Sequence, residues 1–140
     1  MKIILYTDGG CFPNPGIGGW GCIAVFEEYD IHLSGNEVLT TNNIMEMTAV
    51  IEGLKYFSEY QTFDIYSDSK YVINCAKGLW KRNKNTKLWG IFDTLSKNKV
   101  INWKWVKGHS GDKYNEMVDN LVKQEIKILK NLVKNKNDRI

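Results

Sequence analysis

The chain is short of the residues that mark several protein classes. Its 140 residues include three cysteines, two prolines and two histidines. Cys11, Cys22 and Cys75 form no CxxC pair and no even set. That sets aside a disulfide framework or a thiolate metal site, and the expectation is reduced, buried thiols in a cytoplasmic protein. Long apolar runs are missing too. The longest early one, Ile3 to Tyr6, is far too short for a membrane span or a signal-peptide core, so no membrane partner is expected. There is no repeat, no low-complexity tract and no Pro/Ser-rich linker. A single domain over residues 1–140 is expected, with a short basic C-terminal tail from about 134.

Net charge is also low, +3, but it conceals a split. Residues 1–68 hold ten acidic side chains and two lysines, net −8, while residues 69–140 hold seventeen basic and six acidic ones, net +11. Asymmetry of this kind suits a polyanionic partner. With 43% apolar, 12% aromatic and 25% charged residues, the chain is neither disordered nor fibrous. Between Ser69 and Phe92 lie Lys70, Lys77, Lys81, Arg82, Lys84 and Lys87, no acid, and the interleaved Trp80 and Trp89. Basic residues with aromatic spacers suit phosphate backbones and base faces. A solvated helix with tryptophans in the core is the alternative, and Trp89 is expected to be core.

Hydrophobic pattern orders the elements. Ile3–Tyr6 reads as a central strand ending at Asp8-Gly9-Gly10, Trp20–Glu27 as a second strand and Ile31–Ser34 as a third. A helix follows from Asn43 to about Glu59, with Ile44, Met47, Val50, Ile51, Leu54 and Phe57 on its apolar face. Phe63–Asp68 alternates as a fourth strand, helices are expected over 69–79 and 86–97, and Ile101–Val106 forms a fifth strand. A long helix closes the series from about Asn115 to Val133, with Val118, Leu121, Val122, Ile126, Leu129 and Val133 on its face. The order predicts a mixed α/β domain. A right-handed crossover could set the fourth strand parallel to the first, but pattern alone does not choose that neighbour.

Gly16-Ile-Gly-Gly19 lies between two strands and lacks a following Lys-Ser/Thr, so it reads as a hairpin rather than a phosphate cradle. Four carboxylates say more. Asp8 and Asp68 fall at strand ends, Glu46 in a first helical turn, and Asp119 beside the apolar face of the last helix. Singly each has a structural explanation: a turn former, an N-cap, a capping-box variant Asn43-x-x-Glu46, a solvated residue. Together they would repel and desolvate one another and would need hard cations, Mg²⁺ or Mn²⁺. His109, in Val106-Lys-Gly-His-Ser-Gly-Asp112, is either a solvated loop residue or, beside a metal site, a proton shuttle.

Tyr6-Thr-Asp-Gly-Gly-Cys-Phe-Pro-Asn-Pro-Gly-Ile-Gly-Gly-Trp-Gly21 resembles the opening signature of the ribonuclease H type 1 family. Thr40–Met47, Tyr66–Val72, and Trp103–Gly111 with Asn115-Glu-x-x-Asp119 resemble its second, third and fourth motifs, in order over residues 2 to about 125. The resemblance implies an RNase H-like fold, a mixed five-stranded sheet with its first three strands antiparallel, flanked by helices. It implies a Mg²⁺-dependent endonuclease that hydrolyses the RNA strand of RNA–DNA hybrids and leaves 5′-phosphate and 3′-hydroxyl ends. Asp8, Glu46, Asp68 and Asp119 match the metal-binding carboxylates, and His109 the loop histidine. Two Mg²⁺ ions, with Mn²⁺ as a substitute, would clamp the scissile phosphate. Asp8 is expected to bridge both, Glu46 and Asp68 to complete one site and Asp119 to serve the other.

Asn14 and Asn43 match residues that contact the hybrid near the cut, and Thr41 and Asn42 a DNA-phosphate pocket with neighbouring groove contacts. Lys70 stands where glutamine is common, keeping reach but losing the amide acceptor. The basic protrusion of many bacterial members, to which Trp80 would belong, is shortened to Lys81-Arg-Asn-Lys-Asn-Thr-Lys87. Lys123, Lys127, Lys130, Lys134 and Lys136 are candidates to compensate, although a solvated helix face also explains them. A non-cutting binding module, a resolvase or transposase, and a reverse-transcriptase domain are the rival readings. The intact carboxylates with His109 disfavour the first, and the Thr-Asn-Asn and Lys-Gly-His motifs the second. Met1 and the trailing residues through Ile140 favour a free-standing protein over the third. No obligate protein partner is expected, and the protein is taken to act as a monomer.

Overall fold

Ile3 and Leu5 are fully buried and Ile4 and Tyr6 half-buried, so β1 (Lys2–Cys11) has side chains packed on both faces. In the computed structural model, which describes residues 1–108 and 111–138, β1 is the centre of a five-stranded sheet ordered β3-β2-β1-β4-β5. On one side β1 pairs antiparallel with β2 (Gly16–Val25), which pairs antiparallel with β3 (Asp30–Thr40). On the other it pairs parallel with β4 (Thr62–Ser67), in the register Ile3↔Phe63 to Tyr6↔Tyr66, and β4 pairs parallel with β5 (Val100–Trp105). The crossover that pattern left open is therefore the β1–β4 pair.

Four helices complete the fold: α1 (Asn42–Tyr56), α2 (Lys70–Ala76), α3 (Thr86–Ser96) and α4 (Lys113–Asp138). Helix α1 seats Met47, Val50, Ile51 and Leu54 on Leu5, Phe63 and Ile65, with Val72, Trp89 and Phe92 closing the same core. Trp89 is core, as expected. Helix α4 covers the other face of β1 and β2, where Gly21 leaves room for it: a Cβ there would stand 3.1 Å from Val118 Cγ2. Cys11, Cys22 and Cys75 are buried free thiols. Among the described residues no helix is long and apolar enough to cross a membrane.

Several boundaries differ from the pattern. Strand β1 does not stop at Asp8 but continues through Gly9 and Gly10 to Cys11, paired with β2 as Asp8↔Gly21 and Gly9↔Trp20. The glycines hide this extension because they have no side chains to alternate. Strand β3 runs on from Ser34 to Thr40; as an edge strand it exposes Val38 and Leu39 and shows no inward-outward rhythm there. Helix α4 continues past Val133 to Asp138.

Candidate active site

The parallel β1–β4 pairing ends at Tyr6↔Tyr66, whose rings stack with centroids 4.3 Å apart. Two residues further along each chain stand Asp8 and Asp68, so both carboxylates leave the sheet at one level. This is the carboxyl end of the two parallel strands, where open α/β sheets commonly place ligands. Asp8 lies on a strand that carries on, and so is not the turn former that pattern allowed.

Glu46 arrives from α1. The N-cap of that helix is Thr41, whose hydroxyl accepts from the Ile44 amide at 3.2 Å. A capping box on Asn43 is thereby excluded, and the Glu46 side chain turns to β1 instead: the Gly9 amide donates to Glu46 Oε1 at 3.0 Å. Gly9 is required for that approach, because a Cβ there would stand 2.3 Å from the Met45 carbonyl carbon and 2.4 Å from the Glu46 nitrogen. At the start of α2 the cap is likewise Ser69, accepting from the Val72 amide at 3.1 Å, and not Asp68.

Asp8, Glu46 and Asp68 each present a carboxylate oxygen within 4.8 Å of the other two. Asp8 and Glu46 are 6% and 7% exposed. Glu46 Oε2 is buried with no hydrogen-bond partner among the described residues. Burial, opposed in part by the adjoining Glu46 carboxyl and reinforced by the charges of Asp68 and Asp119, pushes the Asp8 carboxyl up to about 7. Burial first and Asp8 second push Glu46 well above the ordinary carboxylate range. Such a cluster resists ionisation until something cationic enters it.

Asp119 stands slightly apart. It lines the same cleft, of about 500 Å³, but is outside the three-carboxylate set, and Lys123 Nζ holds its Oδ2 at 2.9 Å, one turn along α4. Asn42 and Asn43 also line the cleft. Asn14 is tied to them, accepting from the Asn42 amide at 3.2 Å through Oδ1. Thr41 spends its hydroxyl on the helix cap. Lys70 and Trp80 lie outside the cleft lining: the Lys70 ammonium sits 5.0 Å from the centre of the Trp105 ring, and Trp80 is half-exposed. His109 falls outside the described residues.

Three residues at or beside the site escaped sequence reasoning. Lys123 was one lysine among many, although its spacing of four from Asp119 was a usable signal. Phe12 lines the cleft mouth. Gly108 brings the backbone so close to Asp68 that a Cβ would stand 3.2 Å from Oδ2. In the shortened basic segment, Arg82 is engaged inward: it bonds both Asp93 oxygens at 2.8 and 2.7 Å and the Cys75 carbonyl at 3.0 Å, and lies over Trp89.

Comparison with known proteins bears on this geometry. A family model described as RNase H matches residues 1–127. Ribonuclease H of Wolbachia pipientis wMel is 44% identical over 138 residues, covering 89% of this chain and 95% of that protein. Ribonuclease H of Ruthia magnifica subsp. Calyptogena magnifica is 47% identical over 135 residues, covering 86% and 92%. In fold, the crystal structure of LC11-RNase H1 in complex with RNA/DNA hybrid superposes with a TM-score of 0.79 at 23% identity, over 91% of this chain and 99% of that one. A chain with this sheet order, this carboxylate cleft and these relatives belongs to the RNase H family.

Proposed function

We propose that the protein is an endoribonuclease that hydrolyses the RNA strand of RNA–DNA hybrids in a reaction dependent on divalent cations, leaving 5′-phosphate and 3′-hydroxyl ends. The observation that carries this reading is the set of three clustered carboxylates with an orphaned buried oxygen, Glu46 Oε2, at the floor of an open cleft. The donors are all carboxylate oxygens, which suits a hard cation such as Mg²⁺, or Mn²⁺ in its place, over zinc or copper. Asp8, Glu46 and Asp68, with Asp119 at the rim, would hold two such ions, which supply Lewis-acid polarisation of a phosphate, an activated water and charge neutralisation at the leaving oxygen.

The chain's own groups set the geometry. Gly9 anchors Glu46 through its amide, so the carboxylate cannot swing away when its charge is exposed to neighbours. The N-terminal turn of α1 presents Asn42 and Asn43, whose amides can donate to phosphate or bridge a ribose 2′-hydroxyl, and the helix dipole favours an anion there. Asn14 braces that turn from the β1–β2 connection. Asp119, neutralised by Lys123, is placed to exchange its ammonium partner for a cation. His109, which matches the family's loop histidine in sequence, would move a proton to or from the departing product. LC11-RNase H1 has been crystallised with an RNA/DNA hybrid, which supports the choice of substrate.

The test is direct. Wild type and Asp8→Asn are incubated with end-labelled RNA–DNA hybrid, double-stranded RNA, double-stranded DNA and single strands, in Mg²⁺ or EDTA. Wild type should cut only the RNA of the hybrid, and only with Mg²⁺. An intact hybrid, or an Asp8→Asn protein as fast as wild type, would overturn the reading.

A further inference from the structure

The cleft does not end at the carboxylates. Phe12, Lys123 and Ile126 line it and also line an adjoining groove of about 370 Å³, completed by Lys127, Lys130 and Asn131. Phe12 sits beyond the end of β1, 70% exposed, with its amide donating to the Ile17 carbonyl at 3.0 Å. Lys130 Nζ lies 4.7 Å from the centre of its ring. Lys123, Lys127 and Lys130 follow the spacing i, i+4, i+7 and so share one face of α4, and Lys134 continues the row. Three lysines and no acid line this groove.

From this we infer that Phe12 and the lysine row of α4 form a track along which the RNA strand continues beyond the carboxylate cleft, an inference that rests on the hybrid-cleaving function proposed above. The charge is complementary to phosphate, and the groove is continuous with the site where the scissile phosphate must lie. Its reach is right for a strand: seven residues of helix span about 10 Å, roughly three nucleotides at 3.4 Å of rise per strand. An exposed aromatic ring flanked by ammonium groups offers a sugar or base face a surface between two phosphate contacts. In the shortened segment at 81–87 Arg82 is bound to Asp93 and the Cys75 carbonyl, which leaves Lys81, Lys84 and Lys87 as its exposed cations, and the track adds a second basic surface to them.

Hybrid affinity of the full-length protein would be measured in EDTA by anisotropy with a labelled 20-base-pair RNA–DNA hybrid over a series of KCl concentrations, and KM in Mg²⁺. K127A/K130A should raise Kd about tenfold near 0.1 M salt and reduce the slope of log Kd against log salt by roughly 1–2. K127E/K130E should raise Kd further. Phe12→Ala should raise Kd with the slope unchanged, because the ring carries no charge. Lys55→Ala, at the far end of α1, should match wild type. If wild type cuts the hybrid while K127A/K130A and K127E/K130E keep its Kd and slope, the track is wrong and the function stands. If wild type does not cut the hybrid, the function itself falls. A dimer abolished by Phe12→Ala, with hybrid affinity unaltered, would assign the groove to a second copy of the chain and overturn the proposal.

Discussion

The amide of Gly9 donates to Glu46 Oε1 at 3.0 Å, joining the central strand to the first turns of α1 across 37 residues of sequence. Because a Cβ at position 9 would press on the Met45 and Glu46 backbone rather than on a yielding side chain, the contact tolerates no other residue. Gly9→Ala should push α1 off β1, lower stability by about 1–3 kcal/mol, and reduce activity beyond what that destabilisation explains. Urea melts beside hybrid-cleavage rates at a temperature where the variant is fully folded would check this. Wild-type stability would show that the backbone yields.

Exchanging a clustered carboxylate for its amide should separate activity from stability. Asp8→Asn and Glu46→Gln are expected to cut hybrid at least about a hundredfold more slowly, near 3 kcal/mol of transition-state stabilisation. In EDTA at pH 8 the same variants should melt higher than wild type, since each removes a buried charge that its neighbours repel. Lower melting temperatures would mean that the carboxylates stabilise the metal-free fold.

Acidity gives the same cluster a second signature. The Asp8 carboxyl is held up to about 7 in the folded protein, against an ordinary value of 3.8. Between those values the folded chain retains a proton that the unfolded chain has released. Metal-free stability should therefore fall as pH rises from about 4 to about 7 and level off above. Glu46 shifts in the same direction and deepens that fall. Cations bind the deprotonated groups, so Mg²⁺ or Mn²⁺ should raise the melting temperature more at pH 8 than at pH 5. Melts over pH 4.5–8.5, with EDTA or metal, would reveal either this pattern or its reverse.

Asn14 tests the brace between the β1–β2 connection and α1. Asn14→Ala removes the acceptor for the Asn42 amide and should lower stability by about 1 kcal/mol while raising KM. Asn14→Asp keeps the acceptor and should restore stability. Its negative charge should leave hybrid affinity impaired, if the amide faces substrate. Equal KM values for Asn14→Asp and wild type would confine Asn14 to a structural role.

Arg82 should behave as a fold residue. Its guanidinium joins α2 to α3 through the Cys75 carbonyl and Asp93 and stacks on Trp89. With Asp93 half-exposed, the ion pair itself counts for little. Packing and the carbonyl bond put the loss in Arg82→Ala at about 1–2 kcal/mol, and Arg82→Lys should not restore it, lacking the planar fork. Calorimetry and hybrid binding on the same samples would check that stability falls while affinity holds.

Much of the site was legible in the chain. The motifs around Asp8, Glu46, Asp68 and Asp119 indicated which carboxylates to watch, and three of them meet within 4.8 Å. Periodicity found every strand and helix, because apolar spacing is a local property of the element that buries it. Its boundary errors fell at glycines and at the edge strand, where Gly9, Gly10, Val38 and Leu39 have no burial rhythm to read, and at the end of α4, which runs on past Val133 to Asp138.

What the sequence determined alone was composition, element order and the identity of the acids. Only tertiary structure decided which strand neighbours β1, that Glu46 turns to the Gly9 amide and meets Asp8 and Asp68 in one cleft, and that Arg82 turns inward to Asp93 and the Cys75 carbonyl. These depend on distances across the sheet and between helices, which packing sets and no local spacing encodes.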